Sequence, residues 1–142
     1  MCSWVLSSAA SSACFDDAAL AKLQADRANT LIYVWSPRMV LSSLEAADVA
    51  KAAASQGLSL LALHDARVDD AELQGALAKL PHTALTQSQA LCSPRLIALE
   101  AMRHFPTSFV MQNGKLNVQP LVAAMPPKLY QQAIGLHLQS NP

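Results

Sequence analysis

The run "TLIYVW" from Thr30 to Trp35 restricts the fold more than any other stretch of the chain. Its apolar residues are contiguous, rich in β-formers and too few for a helix, and Asn29 and Ser36 bound them as turn residues. Without polar alternation both faces must be buried, so the run belongs in the middle of a sheet covered by helices on both sides. A second run, "LSLLALHD" from Leu58, has the same character. The helical pattern between the two makes a strand–helix–strand unit, expected to be a right-handed parallel crossover.

The flanking segments extend this into an alternating chain. "DDAALAKLQADR" reads as a helix capped by Asp16, with Leu20, Leu23 and alanines inward. Ser36 is the expected N-cap and Pro37 the first-turn residue of a helix running to about Ser55, with Val40, Leu44, Ala47 and Ala54 on one face and Gly57 ending it. "VDDAELQGALAKL" is a helix capped by Asp69 or Asp70 and stopped by Pro81, with Leu73, Leu77 and Leu80 as its stripe. "HTALTQ" is expected to be extended, and Ser93-Pro94 opens another helix. "TSFVMQNGKLNV" reads as a hairpin turning at Asn113-Gly114. "MPPKLYQQAIGLHL" closes the chain as a helix with Leu129, Ala133, Ile134 and Leu136 inward. The expected fold class is an α/β sandwich with a mixed central sheet, residues 16–142 forming one domain behind a flexible segment 1–15.

Composition narrows function. The 142 residues carry ten Lys and Arg against ten Asp and Glu, a formal net charge of zero. That gives no basic footprint for nucleic acid. No apolar run reaches the roughly eighteen residues of a membrane span, and the N-terminal stretch lacks the basic and long apolar regions of a signal peptide. Cys2, Cys14 and Cys92 are an odd count without metal-ligand spacing. Cys2 and Cys14 could pair, leaving Cys92 free. No metal or cofactor is expected.

Two motifs carry a resemblance over residues 16–138. "Phe105-Pro106-Thr107", an apolar strand and then "Asn113-Gly114-Lys115" resemble the cis-proline strand and turn of thioredoxin-like proteins, and "Trp35-Ser36-Pro37-Arg38-Met39" stands where that family carries Trp-Cys-x-x-Cys. The order of elements agrees, and the segment 83–104 resembles the TlpA-like, periplasmic thiol-disulfide branch. The resemblance implies a three-layer α/β/α sandwich and a periplasmic, bacterial setting. In the family the first cysteine attacks a disulfide as thiolate and the second resolves the mixed disulfide. Ser36 cannot take up that two-electron exchange, and the Met39 thioether has no proton to lose. Thr30 stands where many thioredoxins keep a buried carboxylate, and Ala123 replaces a glycine near the groove. Dithiol activity is therefore expected to be absent.

The resemblance implies a binding module for a protein or extended peptide, using a groove formed by Trp35, Ser36, Pro37, Arg38, Met39, His104, Phe105, Pro106 and Thr107. Within it, Trp35 reads equally as core or groove wall, and Arg38 invites either a neighbouring carboxylate or a ligand anion against the helix dipole. Two alternatives stand beside this reading. One is a single-cysteine thiol enzyme using Cys92 just ahead of a helix start. The other is a structural or oligomerisation subunit.

Overall fold

The computed structural model describes residues 14–80, 84–122 and 124–140. Expectations for Cys2, Pro81, His82, Thr83, Ala123 and the segment 1–13 lie outside them.

The expected central strand is β1 (Thr30–Trp35), buried at all six positions. It pairs in parallel with β2 (Ser59–His64), from Thr30 opposite Ser59 to Trp35 opposite His64. On its other side runs β4 (Thr107–Gln112), antiparallel, with Ile32 opposite Phe109. The sheet is completed by β3 (Gln89–Ala90), parallel to β2, and by β5 (Lys115–Leu116) and β6 (Leu121–Val122), both antiparallel to β4. Its order is β3-β2-β1-β4-β5, with β6 also on β4. The sheet is therefore mixed, as the hairpin required.

Because side chains alternate across a strand, β1 feeds two cores. Leu31, Tyr33 and Trp35 pack with residues of α3 (Ala46–Ser55) and α6 (Pro127–Ser140), and α4 (Asp70–Ala78) adds Leu73 and Leu77. Ile32 and Val34 pack on the opposite face with Leu20 of α1 (Asp17–Ala25) and Leu96 of α5 (Pro94–Ala98). This is the expected three-layer α/β/α arrangement.

Local signals placed most helix ends. Asp16, Asp69 and Ser93 each accept a hydrogen bond from the backbone N–H three residues on. Leu58 N–H donates to Ala53 O at 2.9 Å and Gly57 N–H to Ala54 O at 3.0 Å, with Gly57 at φ +75°, so α3 ends in a paired glycine cap. At the hairpin Asn113 and Gly114 have φ of 52° and 77°. A Cβ on Gly114 would lie 2.2 Å from Gln24 O, so the turn and the end of α1 can approach only because that residue is glycine.

Five expectations fail for tertiary reasons. The helix after β1 starts at Val40, as α2 (Val40–Leu44), and breaks at Glu45 before α3. Ser36 is not its cap: it opens a turn closed by Met39 N–H on Ser36 O, and Met39 precedes the helix. The inward residues of α3 are Ala46, Val49, Ala52 and Ala53, whereas Val40 and Leu44 are 61% and 57% exposed; small side chains let α3 lie close on the sheet. On α6 the buried residues are Tyr130 and Ile134, with Ala133 and Leu138 partly buried, while Leu129 and Leu136 face out. Ala84–Gln87 form turns instead of an extended segment. Finally, Cys14 and Phe15, expected in the segment ahead of the domain, join its edge: Phe15 is 4% exposed and bridges Leu91 in parallel.

Candidate functional site

The C-terminal ends of β1 and β2 deliver Trp35-Ser36 and His64-Asp65 side by side. Parallel strands ending together beside helix starts are the usual place for chemistry in an open α/β sheet. Asp65 N–H donates to Trp35 O at 2.9 Å, which fixes the two chain exits against each other.

Ser36 is 1% exposed. Its Oγ donates to Asp65 Oδ2 at 3.3 Å and accepts from Arg38 N–H at 3.2 Å. Its backbone is held by Ser42, whose Oγ accepts from Ser36 N–H at 3.1 Å and lies 3.0 Å from Ser36 O and 2.6 Å from Met39 O, either of which it can donate to. The Tyr33 hydroxyl donates to Ser42 O, and burial pushes that phenol far above its ordinary pKa, so it stays a donor. Ser36–Met39 is therefore a hydrogen-bonded turn, closed by Met39 N–H donating to Ser36 O at 3.0 Å.

Asp65 is 2% exposed and is bound by Arg67 three times, from N–H at 3.0 Å, Nε at 2.8 Å and Nη2 at 3.0 Å. Burial alone would raise its pKa, but the hydrogen bonds and charge of Arg67, with the Ser36 hydroxyl, hold it below the usual carboxylate range. The Arg67 guanidinium also stands 6.0 Å over the ring of Phe105.

Trp35 and His64 share a third partner. Trp35 Nε1–H donates to Ser88 Oγ at 2.9 Å, and His64 Nδ1 lies 2.9 Å from the same oxygen. The rings meet edge to face with centroids 6.2 Å apart. Burial lowers the His64 pKa, only partly opposed by Asp65, which favours a neutral ring accepting the Ser88 proton at Nδ1.

The expected groove residues divide into two sets. Trp35, Ser36, Pro106 and Thr107 are buried and cannot wall it; Trp35, fully buried, is core. Arg38, Met39 and His104 are exposed, and Pro37 and Phe105 half-buried. The Phe105–Pro106 bond is cis, and His104 O accepts from Thr107 Oγ1 at 2.5 Å. Arg38 has a carboxylate partner: Nε and Nη2 donate to the two oxygens of Glu72 at 3.1 and 3.2 Å, which raises the Arg38 pKa. Between α2 and α4 opens a cleft of about 640 Å³, bordered by that pair and lined by Val40, Leu44, Gly75 and Leu80.

Thr30 lies at the opposite end of β1, its hydroxyl donating to Ser59 O at 3.0 Å. The buried carboxylate of this site is Asp65 instead. It was missed because it is brought to Ser36 from 29 residues away; the signal was "HDAR" directly after a buried strand.

Cys92 is not a free thiol. It forms a disulfide with Cys14, their Cα atoms 5.5 Å apart, which overturns both the Cys2–Cys14 pairing and the lone-cysteine site. By register Trp35 aligns with His64 and His64 with Ala90, so the disulfide lies roughly 10–14 Å across the sheet from Trp35. It stands apart from Ser36 and Met39. Among the described residues no helix is long and apolar enough to cross a membrane, and no group of three His, Cys, Asp or Glu side chains is placed to hold a metal ion.

No family model and no curated protein matches the sequence. Solved structures do. The exposed lipoprotein thioredoxin Etrx1 of Streptococcus pneumoniae superposes with a TM-score of 0.56 at 16% identity, over 80% of this chain and 89% of its own. A secreted Mycobacterium tuberculosis disulfide oxidoreductase homologous to E. coli DsbE gives 0.51 at 16% identity, over 79% and 85%. Together with the mixed sheet and its two helical layers, these likenesses establish that the chain has a thioredoxin-like fold.

Proposed function

We propose that the chain is a thioredoxin-fold binding module without dithiol chemistry, taking an extended polypeptide at the surface formed by Pro37, Arg38, Met39, His104 and Phe105. Residues 16–142, with Cys14 and Phe15 fastened to their edge, act as one domain. The observation that carries the reading is the state of the two positions where a dithiol would act. Ser36 is sealed at 1% exposure against Asp65, while Met39 is 46% exposed and continues into exposed Val40 and Leu41. A nucleophile must reach its substrate, and the buried position here cannot; what faces outward is apolar and unreactive.

The surface suits a polypeptide. Met39 is an adaptable apolar contact, and the neighbouring cleft can take a side chain. No cofactor is needed, and the balanced charge offers nothing to nucleic acid. A disulfide between Cys14 and Cys92 fits an oxidising compartment, the periplasm that the TlpA-like resemblance implies.

The test pairs two assays on the full chain. Dithiothreitol-driven reduction of insulin should run no faster with the protein than without it. A reduced, carboxymethylated polypeptide should bind saturably by calorimetry, and Met39→Asp should abolish binding. Catalysed insulin reduction, or no binding of any unfolded polypeptide, overturns the reading. Exposed Met39, Val40, Leu41 and Leu44 also suit the assembly reading; sedimentation showing an oligomer that Leu44→Asp dissociates would favour it.

A further inference from the structure

The open edge of the sheet is held by little of its own ladder. β3 has two residues, pairing Gln89 with Leu63 and Ala90 with His64. A strand so short on an edge is weakly fixed by backbone pairing alone. Phe15 covers it: Phe15 N–H donates to Ala90 O at 2.7 Å, and Cys92 N–H donates back to Phe15 O at 2.8 Å. The disulfide from Cys14 to Cys92 flanks this bridge and ties the two segments covalently.

The same edge supports the floor of the candidate site. Ser88, directly before β3, holds Trp35 Nε1 and His64 Nδ1 through its one oxygen, each at 2.9 Å. Just past β3, Leu91 N–H donates to His64 O at 2.9 Å. A displacement of β3 therefore moves the groups that fix Trp35 and His64.

We propose that the Cys14–Cys92 disulfide is a redox latch on this edge, whose reduction frees Phe15 and β3 and thereby loosens the Ser88 clamp on Trp35 and His64. Both cysteines are half-exposed, so a reductant can reach the bond. A thiolate of a dithiol reductant attacks one sulfur and breaks the S–S bond, and its second thiol then resolves the mixed disulfide. Two electrons and two protons pass to the protein, leaving Cys14 and Cys92 as thiols and the reductant as a disulfide.

The effect is local because other links persist. Asp17 Oδ1 accepts from Ser93 Oγ at 2.6 Å and from Arg95 N–H at 3.2 Å, so the starts of α1 and α5 stay joined without the disulfide. Leu20 and Leu96 remain fully buried in the shared core. Regulation of binding by the latch rests on the binding reading, but the latch itself does not, and its test uses no ligand.

The experiment is amide exchange by NMR on the full chain carrying Cys2→Ser and Trp4→Phe, which leaves one disulfide and one indole. Oxidised protein is compared with protein reduced by excess dithiothreitol. On reduction, protection of the Phe15, Leu91 and Cys92 amides should fall at least ten-fold more than that of Ile32 and Val110, and the Trp35 indole N–H signal should shift. Cys14→Ser with Cys92→Ser should reproduce both changes without reductant. Equal loss at edge and core, an unmoved indole signal, or outright unfolding on reduction would each show a staple instead of a latch.

Discussion

Ser36 Oγ donates to Asp65 Oδ2 at 3.3 Å, and Arg67 holds the same carboxylate through Nε at 2.8 Å and Nη2 at 3.0 Å. The Ser36 hydroxyl is thus tied to a buried, ionised acid. Such a neighbour raises the pKa of any thiol beside it and lowers its thiolate fraction.

Placing cysteines at positions 36 and 39 should therefore not create fast dithiol chemistry. Ser36→Cys with Met39→Cys is expected to reduce insulin less than ten-fold faster than the parent chain. Adding Asp65→Asn removes the anion and should raise the rate further. A fast double variant would show that Asp65 does not hold back a thiol at position 36.

Arg67→Ala should destabilise the fold by about 1–2 kcal/mol, the worth of charged hydrogen bonds after screening at an exposed guanidinium. The Asp65 carboxylate keeps Ser36 and the Arg67 backbone N–H, so the loss is partial. Arg67→Lys, which supplies one donor in place of a fork, should fall between the two. Urea midpoints decide this, and equal midpoints for Ala and parent would contradict it.

Two glycines should respond with opposite sign to alanine. At Gly114, φ +77° and a Cβ 2.2 Å from Gln24 O make Gly114→Ala cost about 2 kcal/mol or more. At Gly75, in the middle of α4, a Cβ meets nothing within 4 Å and points into open space. Gly75→Ala should stabilise by about 0.5–1 kcal/mol. Thermal melts of the pair test both.

Stability should fall on acidification in two steps. His64 has a pKa lowered by burial, so the unfolded chain binds its proton more readily; the stability it contributes is complete above about pH 6.5 and is lost as pH falls toward its folded value. Asp65, also held low, contributes above about pH 3.9 and loses its share below that. His137 acts in the same direction as His64, and Glu45, whose pKa burial raises, acts in the opposite one. The difference between His64→Gln and parent isolates His64: the variant should lose less stability than the parent between pH 7.5 and 5.5.

The fold was legible where the cause is local. A contiguous apolar run made β1, an Asn-Gly pair made the β4–β5 turn, and Asp69 and Ser93 capped as their spacing dictates. The site was legible only as an outline. Ser36 looks like a helix cap, yet its oxygen closes a turn on Arg38 N–H and its proton goes to Asp65, just past β2, while α2 begins only at Val40. Arg38 called for an offsetting charge, and Glu72 supplies it from 34 residues away. The inward face after β1 is not legible in the apolar stripe: the break at Glu45 leaves Val40 and Leu44 on α2 and exposed, while α3 lies on the sheet through small residues such as Ala52 and Ala53. The Cys14–Cys92 pairing spans 78 residues and leaves no local trace.

The most direct measurement is an NMR titration of the isotopically labelled full chain with a reduced, carboxymethylated polypeptide. Saturable shifts confined to Met39, Val40, His104 and Phe105 and their neighbours are expected, unchanged by Ser36→Ala. Shifts on another face, or none at saturating polypeptide, would contradict the binding reading.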